Sequence, residues 1–277
     1  VIGLLVAKII NYLFLIFLLL LGWSEAATAG ELSERLANFP QWEKLTSVQP
    51  ASGDLVYPEW MAGYWQVTST LVDLFAPLAP DIVTPGFEGN RRQLNQPVSF
   101  LVRFIKEQPP ITGLKFLPRI DNKSLILVAD REFNSLNLAR AYLGNEAVLS
   151  VKVDPDSPNR QITFLRSKCL TDTVCDRQLI SIITARATET TFDNKFITTE
   201  VFQQLFKGSS LPYFNSVEST TAYHKLPTSN PAIEADQVTA VYLSPQDPNY
   251  FTAGSRPVAL YRYRLEFLPV KLPTPKE

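Results

Sequence analysis

Few side chains in this chain could do covalent or acid–base chemistry, and spacing does not gather them. The single histidine, His224, falls in a strand-like stretch on the face of Thr220 and Ala222. A general acid–base histidine needs an oriented partner within hydrogen-bond reach. None is visible beside it, so a surface or hydrogen-bonded role is the plainer account. Asp54, Glu59, Asp73 and Asp81 are scattered carboxylates without metal-ligand spacing and read as solvated loop positions. Asp130, Arg131 and Arg140 could together hold an anion, or simply form a solvated helix face. Neither a Gly-x-Ser-x-Gly nucleophile turn nor a phosphate-binding glycine loop occurs. These observations point away from an enzyme and call for no metal and no cofactor.

The two cysteines, Cys169 and Cys175, are separated by five residues. In an exported chain this spacing reads as a disulfide across a tight loop, fixing a hairpin end; the alternative is a pair of free thiols. Two sulfurs with no histidine nearby make a poor metal site. Export is indicated by the N-terminus: Lys8, an apolar run from Ile9 to Leu21 broken only by Asn11, then Ala27-Thr28-Ala29. Such a sequence is a secretory signal, residues 1–29, with cleavage after Ala29; residues 1–22 retained as a membrane anchor is the other reading. The 26 basic and 27 acidic residues leave a net charge of −1, which supplies no electrostatic footprint for nucleic acid.

Hydrophobic residues make up 45% of the 277, enough for a sizeable core. The 21 prolines outnumber the 11 glycines and punctuate apolar runs, which suits short strands joined by rigid loops. The organising stretch runs from Tyr57 to Val72: a proline turn, Gly63, then alternation with Trp65 and the following odd positions mostly apolar. A period of two marks a strand with one buried face. Further strands are expected over 98–105, 125–128, 147–153, 161–168, 177–188, 216–226, 238–243 and 258–267. Residues 191–206 read as a strand start with a helical or irregular end, and 227–237 as a polar connection. Between the early strands, Asp130 to Gly144 changes to helical period. Residues 30–55 form an extension whose short helix sets Leu32, Leu36 and Phe39 on one side, with Trp42 and Leu45 docking on the main domain. The four early tryptophans, Trp23, Trp42, Trp60 and Trp65, suit packing. The segment from Asp73 to Asn90 carries three prolines yet is apolar: a loop packed over one end, or a lid or docking surface. The expected fold is mainly β: an antiparallel, eight- to nine-stranded barrel over residues 56–270 with one short helix and long loops, and a fraying tail at 271–277.

Gly63-Tyr64-Trp65 ahead of an alternating strand resembles the Gly-x-Trp opening of lipocalins and their calycin relatives. That resemblance implies an arginine of the last strand, here Arg264 or its neighbour Arg262, stacked on Trp65. The Thr-Asp-Tyr motif of that family is absent. The region from Trp60 to Asn90, with Thr84-Pro85-Gly86-Phe87, also looks like an uncharacterised exported family of cyanobacteria and chloroplasts. This likeness implies the thylakoid lumen or the periplasm.

Two functions follow as expectations. The first is a non-enzymatic, lipocalin-like binding protein for a small apolar ligand (a lipid, pigment, quinone or tetrapyrrole) with Trp65, Phe100, Val102, Phe104, Tyr261 and Tyr263 lining the cavity. Gly63, Arg264, Cys169 and Cys175 would be structural. The second is an assembly factor docking to a thylakoid membrane complex through the apolar loop 73–90.

Overall fold

Strand β2 (Gly63–Phe75) buries Trp65, Val67, Ser69 and Leu71 and leaves the residues between them at least partly accessible, as its alternation requires. In the computed structural model, which describes residues 30–108, 124–168, 174–208 and 212–271, it lies within one antiparallel sheet. Its companions are β3 (Pro97–Glu107), β4 (Ile126–Ala129), β5 (Val148–Asp154), β6 (Ser157–Lys168), β7 (Val174–Thr190), β8 (Phe196–Lys207), β9 (Tyr213–Lys225), β10 (Ile233–Leu243) and β11 (Ala259–Pro269). The order is β4-β3-β2-β11-β10-β9-β8-β7-β6-β5, and the two-residue β1 (Gln49–Pro50) pairs with β7. The sheet curls into a half-barrel of ten strands, with 51% of the described residues in strand. In the described residues β4 and β5 are the free edges of that path. Helix α3 (Arg131–Leu143), which connects them in sequence, packs against both β3 and β5 and so spans the seam.

Among the described residues the sheet thus has ten strands along its path rather than eight or nine. Among the same residues there are four short α-helices: α1 (Glu31–Ala37), expected in the N-terminal extension, and within the barrel region α2 (Phe87–Arg91), α3 and α4 (Tyr250–Ala253) rather than one. Residues 196–207 are strand throughout. The start of β8, with Phe196 inside and Ile197 beneath α1, was expected as strand; toward its end apolar and polar residues come in pairs, Val201-Phe202, Gln203-Gln204 and Leu205-Phe206, so the period of two is hidden. Strand β10 begins at Ile233, five residues before the expected start. Its polar Asp236 and Gln237 are strand residues, Asp236 pairing with Arg262 and Gln237 facing the interior. Residues 1–29, Cys169 and the last six residues lie outside the described residues. The side chain of Cys175 does as well, although its backbone pairs with Ser167 at the start of β7.

Three apolar clusters hold the sheet. Met61, Trp65, Phe104, Leu127 and Phe267 fill one end of the interior. At the other end Leu78, Ile82 and Phe87 fold over Leu71, Val258 and Tyr261. The segment 73–90 therefore caps an end of the half-barrel, spending most of its apolar residues there. On the convex face, Leu32, Leu36, Trp42 and Leu45 lie against Ile197, Val238, Ala240 and Leu260.

Gly63, which opens β2, has φ +112°, and a Cβ built there meets no atom within 4 Å. Replacement by alanine should therefore destabilise through backbone strain alone, by about 1–2 kcal/mol. Urea denaturation of Gly63→Ala checks this, and an unchanged midpoint would show that the turn relaxes freely.

Candidate functional site

Curling the sheet leaves its inner face incompletely filled. Two adjoining cavities, about 410 and 770 Å³, occupy the lumen. Tyr57, Asn134, Leu138, Tyr142, Tyr223, Gln237 and Thr239 line both. Each falls in the range of about 300–1,000 Å³ common for small-molecule sites. The smaller is walled by Val67, Phe100, Val102, Phe104, Leu265 and Phe267, an apolar surface contributed by β2, β3 and β11. The larger is walled mainly by β6 to β10, and thirteen of its lining residues are Ser, Thr, Asn or Gln.

Strand register explains the division. Inward-facing residues align in rows across the sheet, because directly opposed residues in an antiparallel pair point to the same face. The row Phe196, Tyr223, Ala235, Leu265 is apolar except for the Tyr223 hydroxyl. The next, Thr198, Thr221, Gln237, Tyr263, is polar, and Gln237 Nε2 donates to Thr221 Oγ1 at 2.9 Å. So is Arg186, Glu200, Ser219, Thr239. The row after it, Phe202, Val217, Val241, Ala259, is apolar again. A polar belt thus crosses the middle of the lumen.

Helix α3 faces this belt from across the seam. Its N-terminus is capped by Asp130, whose Oδ1 accepts from Phe133 N–H at 3.0 Å, and it ends at Gly144 with φ +90°. Arg103 of β3 holds it in place: its Nε donates to Asp130 Oδ2 at 2.7 Å, and its guanidinium lies 4.4 Å from the Phe133 ring centroid. Yet Leu138, Tyr142 and Leu143, which line the larger cavity, are 42, 39 and 55% exposed. The helix turns apolar side chains toward space that the protein itself does not fill.

At the start of α3 sits a charged cluster. Arg131 donates to Asp54 Oδ1 from Nη2 at 2.6 Å and from Nε at 2.9 Å, and from Nη2 to Glu200 Oε1 at 3.1 Å. Arg186 approaches Glu200 to 3.2 Å and donates to Asn159 Oδ1 and Gly53 O. Burial disfavours the Arg131 cation, but Glu200 and Asp54 outweigh it and hold Arg131 firmly protonated. Burial pulls Arg186 below its ordinary value, with Glu200 opposing the shift. Two cations and two carboxylates cancel, so the cluster presents no net charge. Asp130, Arg131 and Arg140 accordingly do not converge as an anion site: Asp130 is occupied by the cap and Arg103, and Arg131 by its two carboxylates.

Burial also pushes the phenols of the lumen upward. Tyr223 rises to about 12, and Tyr57 well above its ordinary value, with Tyr223 and Glu200 adding to the effect. Both are neutral hydrogen-bonding groups at neutral pH.

Of the residues singled out from sequence, Phe100, Val102, Phe104 and Tyr263 line the smaller cavity. Trp65 is buried in the end cluster, its Nε1 donating to Met61 O at 2.8 Å and its ring edge-on to Phe267 at 6.4 Å. Tyr261 packs under Phe87, 5.9 Å between centroids. Neither lines a cavity described above. Arg264 does not stack on Trp65. It is exposed on the outer face, opposite Thr70, while Trp65 points inward opposite Pro269. Adjacent strand residues alternate faces, and Arg264 has the parity of the outside. Arg262 shares that parity; it pairs with Asp236 and lies 5.4 Å from the Phe39 ring. His224 is on the convex face opposite Glu234, away from the lumen. The sequence reading missed the belt residues Thr221, Gln237 and Thr239, and the lumen-facing Leu138 and Tyr142. Their signal was weak: threonines and glutamines at inward positions of β9 and β10 read as ordinary strand polarity.

Among the described residues no group of three or more His, Cys, Asp or Glu comes together to hold a metal. Nor is any described helix long and apolar enough to cross a membrane. No curated protein and no solved structure matches the chain. A family model described as a domain of unknown function (DUF6816) matches residues 49–271, from β1 to just past β11, and so includes every strand that forms the lumen. The chain belongs to the DUF6816 family.

Proposed function

We propose that this protein is a non-enzymatic binding protein for a small, largely apolar molecule held in the lumen of the half-barrel. The observation that carries this reading is the state of α3. Its Leu138, Tyr142 and Leu143 face a cavity and remain about half exposed, although each would be stabilised by burial. A half-barrel whose only task was to fold would be filled at close-packed density. The aromatic wall of Phe100, Phe104 and Phe267 supplies an apolar seat. Export to the thylakoid lumen or periplasm belongs to the same proposal and rests on the leader-like N-terminus and the sequence resemblance. Docking to a membrane complex through segment 73–90 is the weaker reading, because Leu78, Ile82 and Phe87 are buried against the sheet and leave Phe75 and Val83 as its exposed large apolar residues.

Native mass spectrometry with solvent extraction, on protein purified gently from its own host, tests the proposal. A co-purifying organic molecule at unit stoichiometry is expected. Leu138→Trp should lower its occupancy by about tenfold or more, because the added ring occupies the lumen from a partly exposed position that tolerates bulk. Empty, folded protein, or occupancy indifferent to Leu138→Trp, would overturn the reading.

A further inference from the structure

The belt narrows the class of ligand. Thr198 and Thr221 are buried, Gln237 continues their row, and Ser219 and Thr239 lie side by side in the next row of the inner face. A barrel interior is ordinarily filled by aliphatic side chains, and burying hydroxyls and amides is unfavourable unless they find hydrogen-bond partners. Apolar rows lie on both sides of the belt, so its polarity is local. The charges beside it are spent on one another: Arg131 and Arg186 against Asp54 and Glu200. The cluster carries no excess charge, so a carboxylate or ammonium head group would lose its hydration without gaining a counter-charge, while the unmatched Arg186 Nε donor serves a neutral hydroxyl equally well. An uncharged head carrying several hydroxyls could both donate to and accept from serine, threonine and glutamine side chains.

Building on the binding function proposed above, we infer that the lumen takes an uncharged amphiphile of the glycoside type, with its hydroxylated head on the Thr221–Gln237–Thr239 belt and its alkyl tail among Phe100, Phe104 and Phe267. The two cavities adjoin along this axis, since Gln237 and Thr239 line both. Selectivity comes from the belt and affinity from the aromatic seat. A site built to hydrogen-bond hydroxyls rejects analogues that lack them far more strongly than an apolar pocket rejects a change of size.

The test is calorimetric titration of the purified chain with octyl glucoside, octanoate and octyltrimethylammonium, each below its micelle concentration, and with glucose alone. Octyl glucoside is expected to bind about tenfold or more tighter than either charged amphiphile, and glucose alone much more weakly. Thr239→Val, with Thr221→Val as a second and independent variant, should collapse the ratio of glucoside to octanoate affinity toward one. Octanoate binding as tightly as the glucoside would overturn the head-group assignment and leave the apolar-ligand reading standing. Equal affinity for glucose and octyl glucoside would overturn the tail assignment, and with it the apolar-ligand reading. Absence of binding by all four probes would remove both. A ratio unchanged in both valine variants would show that selectivity arises elsewhere than the belt.

Discussion

Replacing Arg35 by alanine should lower the unfolding free energy by about 3–5 kcal/mol, the range found when one partner of a buried ion pair is removed. The reason lies on the convex face. Glu218 of β9 is 1% exposed, and its carboxylate is enclosed by the N-terminal segment that precedes β1. Arg35 donates to its Oε1 from Nη2 at 2.7 Å and from Nε at 3.1 Å, and Trp42 Nε1 donates to the same oxygen at 3.2 Å. Leu45 N–H and the Tyr242 hydroxyl serve Oε2 at 3.3 and 3.2 Å. The Arg35 guanidinium also lies 4.2 Å from the Trp42 ring centroid. Around this clasp Leu32, Leu36 and Leu45 cover Val238, Ala240 and Leu260, so a loosened clasp exposes a strip of apolar sheet. Chemical denaturation of Arg35→Ala and of Glu218→Ala, with the double variant, measures the coupling directly. The double variant should be less destabilised than the sum of the singles, since each single leaves an uncompensated partner. A loss below about 1 kcal/mol, the scale of exposed ion pairs, would show that the segment is not clamped by this pair.

The second large effect is expected in alkaline solution. Tyr57, Tyr223 and Tyr242 are all held neutral above their ordinary pKa of 10.0. Burial is the leading cause in each, with the Glu218 charge adding to it at Tyr242. Above pH 10 the unfolded chain releases these protons while the folded chain keeps them. The unfolded state then binds fewer protons, and stability falls as pH rises. The contribution is intact below pH 10 and is lost progressively through the raised folded-state values. Each phenol contributes a slope of about 1.4 kcal/mol per pH unit, so the three together remove about 4 kcal/mol per unit. Against a typical stability of about 5–15 kcal/mol, the domain should unfold within about one to four units above pH 10. Phenolate absorbance and circular dichroism should change together, and Tyr223→Phe should shallow the stability slope by about 1.4 kcal/mol per unit. Smooth titration of all ten tyrosines near pH 10 in a folded protein would contradict the burial argument.

The clasp and the lumen use opposite faces of the same strands. On β9, Glu218, Thr220 and Ala222 point to the N-terminal segment, while Val217, Ser219, Thr221 and Tyr223 point inward. The outer positions are also closed to water, and Thr199 and Thr220 satisfy one another there with hydroxyls 2.7 Å apart. Strands with both faces covered lose their clean alternation. Phe196 to Thr199 at the start of β8 are such a stretch, whereas the parts misread from sequence, the end of β8 and the start of β10, were hidden by polar residues at strand positions (Gln203 and Gln204, Glu234 and Asp236); β2 and β3, which alternate openly, were read well.

What the amino-acid sequence determined by itself is local. Alternation about Trp65 and Phe100 set the strands and their inward parity, because side chains in a strand change face at every residue. Asp130 and Gly144 delimited α3, because cap chemistry is settled within a few positions of the helix end. Leu32 and Leu36 marked a helix with one apolar side, and both are buried in the structure. Only the tertiary structure decided how far the sheet curls, that α3 spans its seam, and that two polar rows meet at the centre of the lumen. It also placed Arg35 on Glu218, 183 residues away, and set Arg264 on the face opposite Trp65. Register across ten strands and the closure of a seam depend on contacts between distant parts of the chain, which no local period encodes.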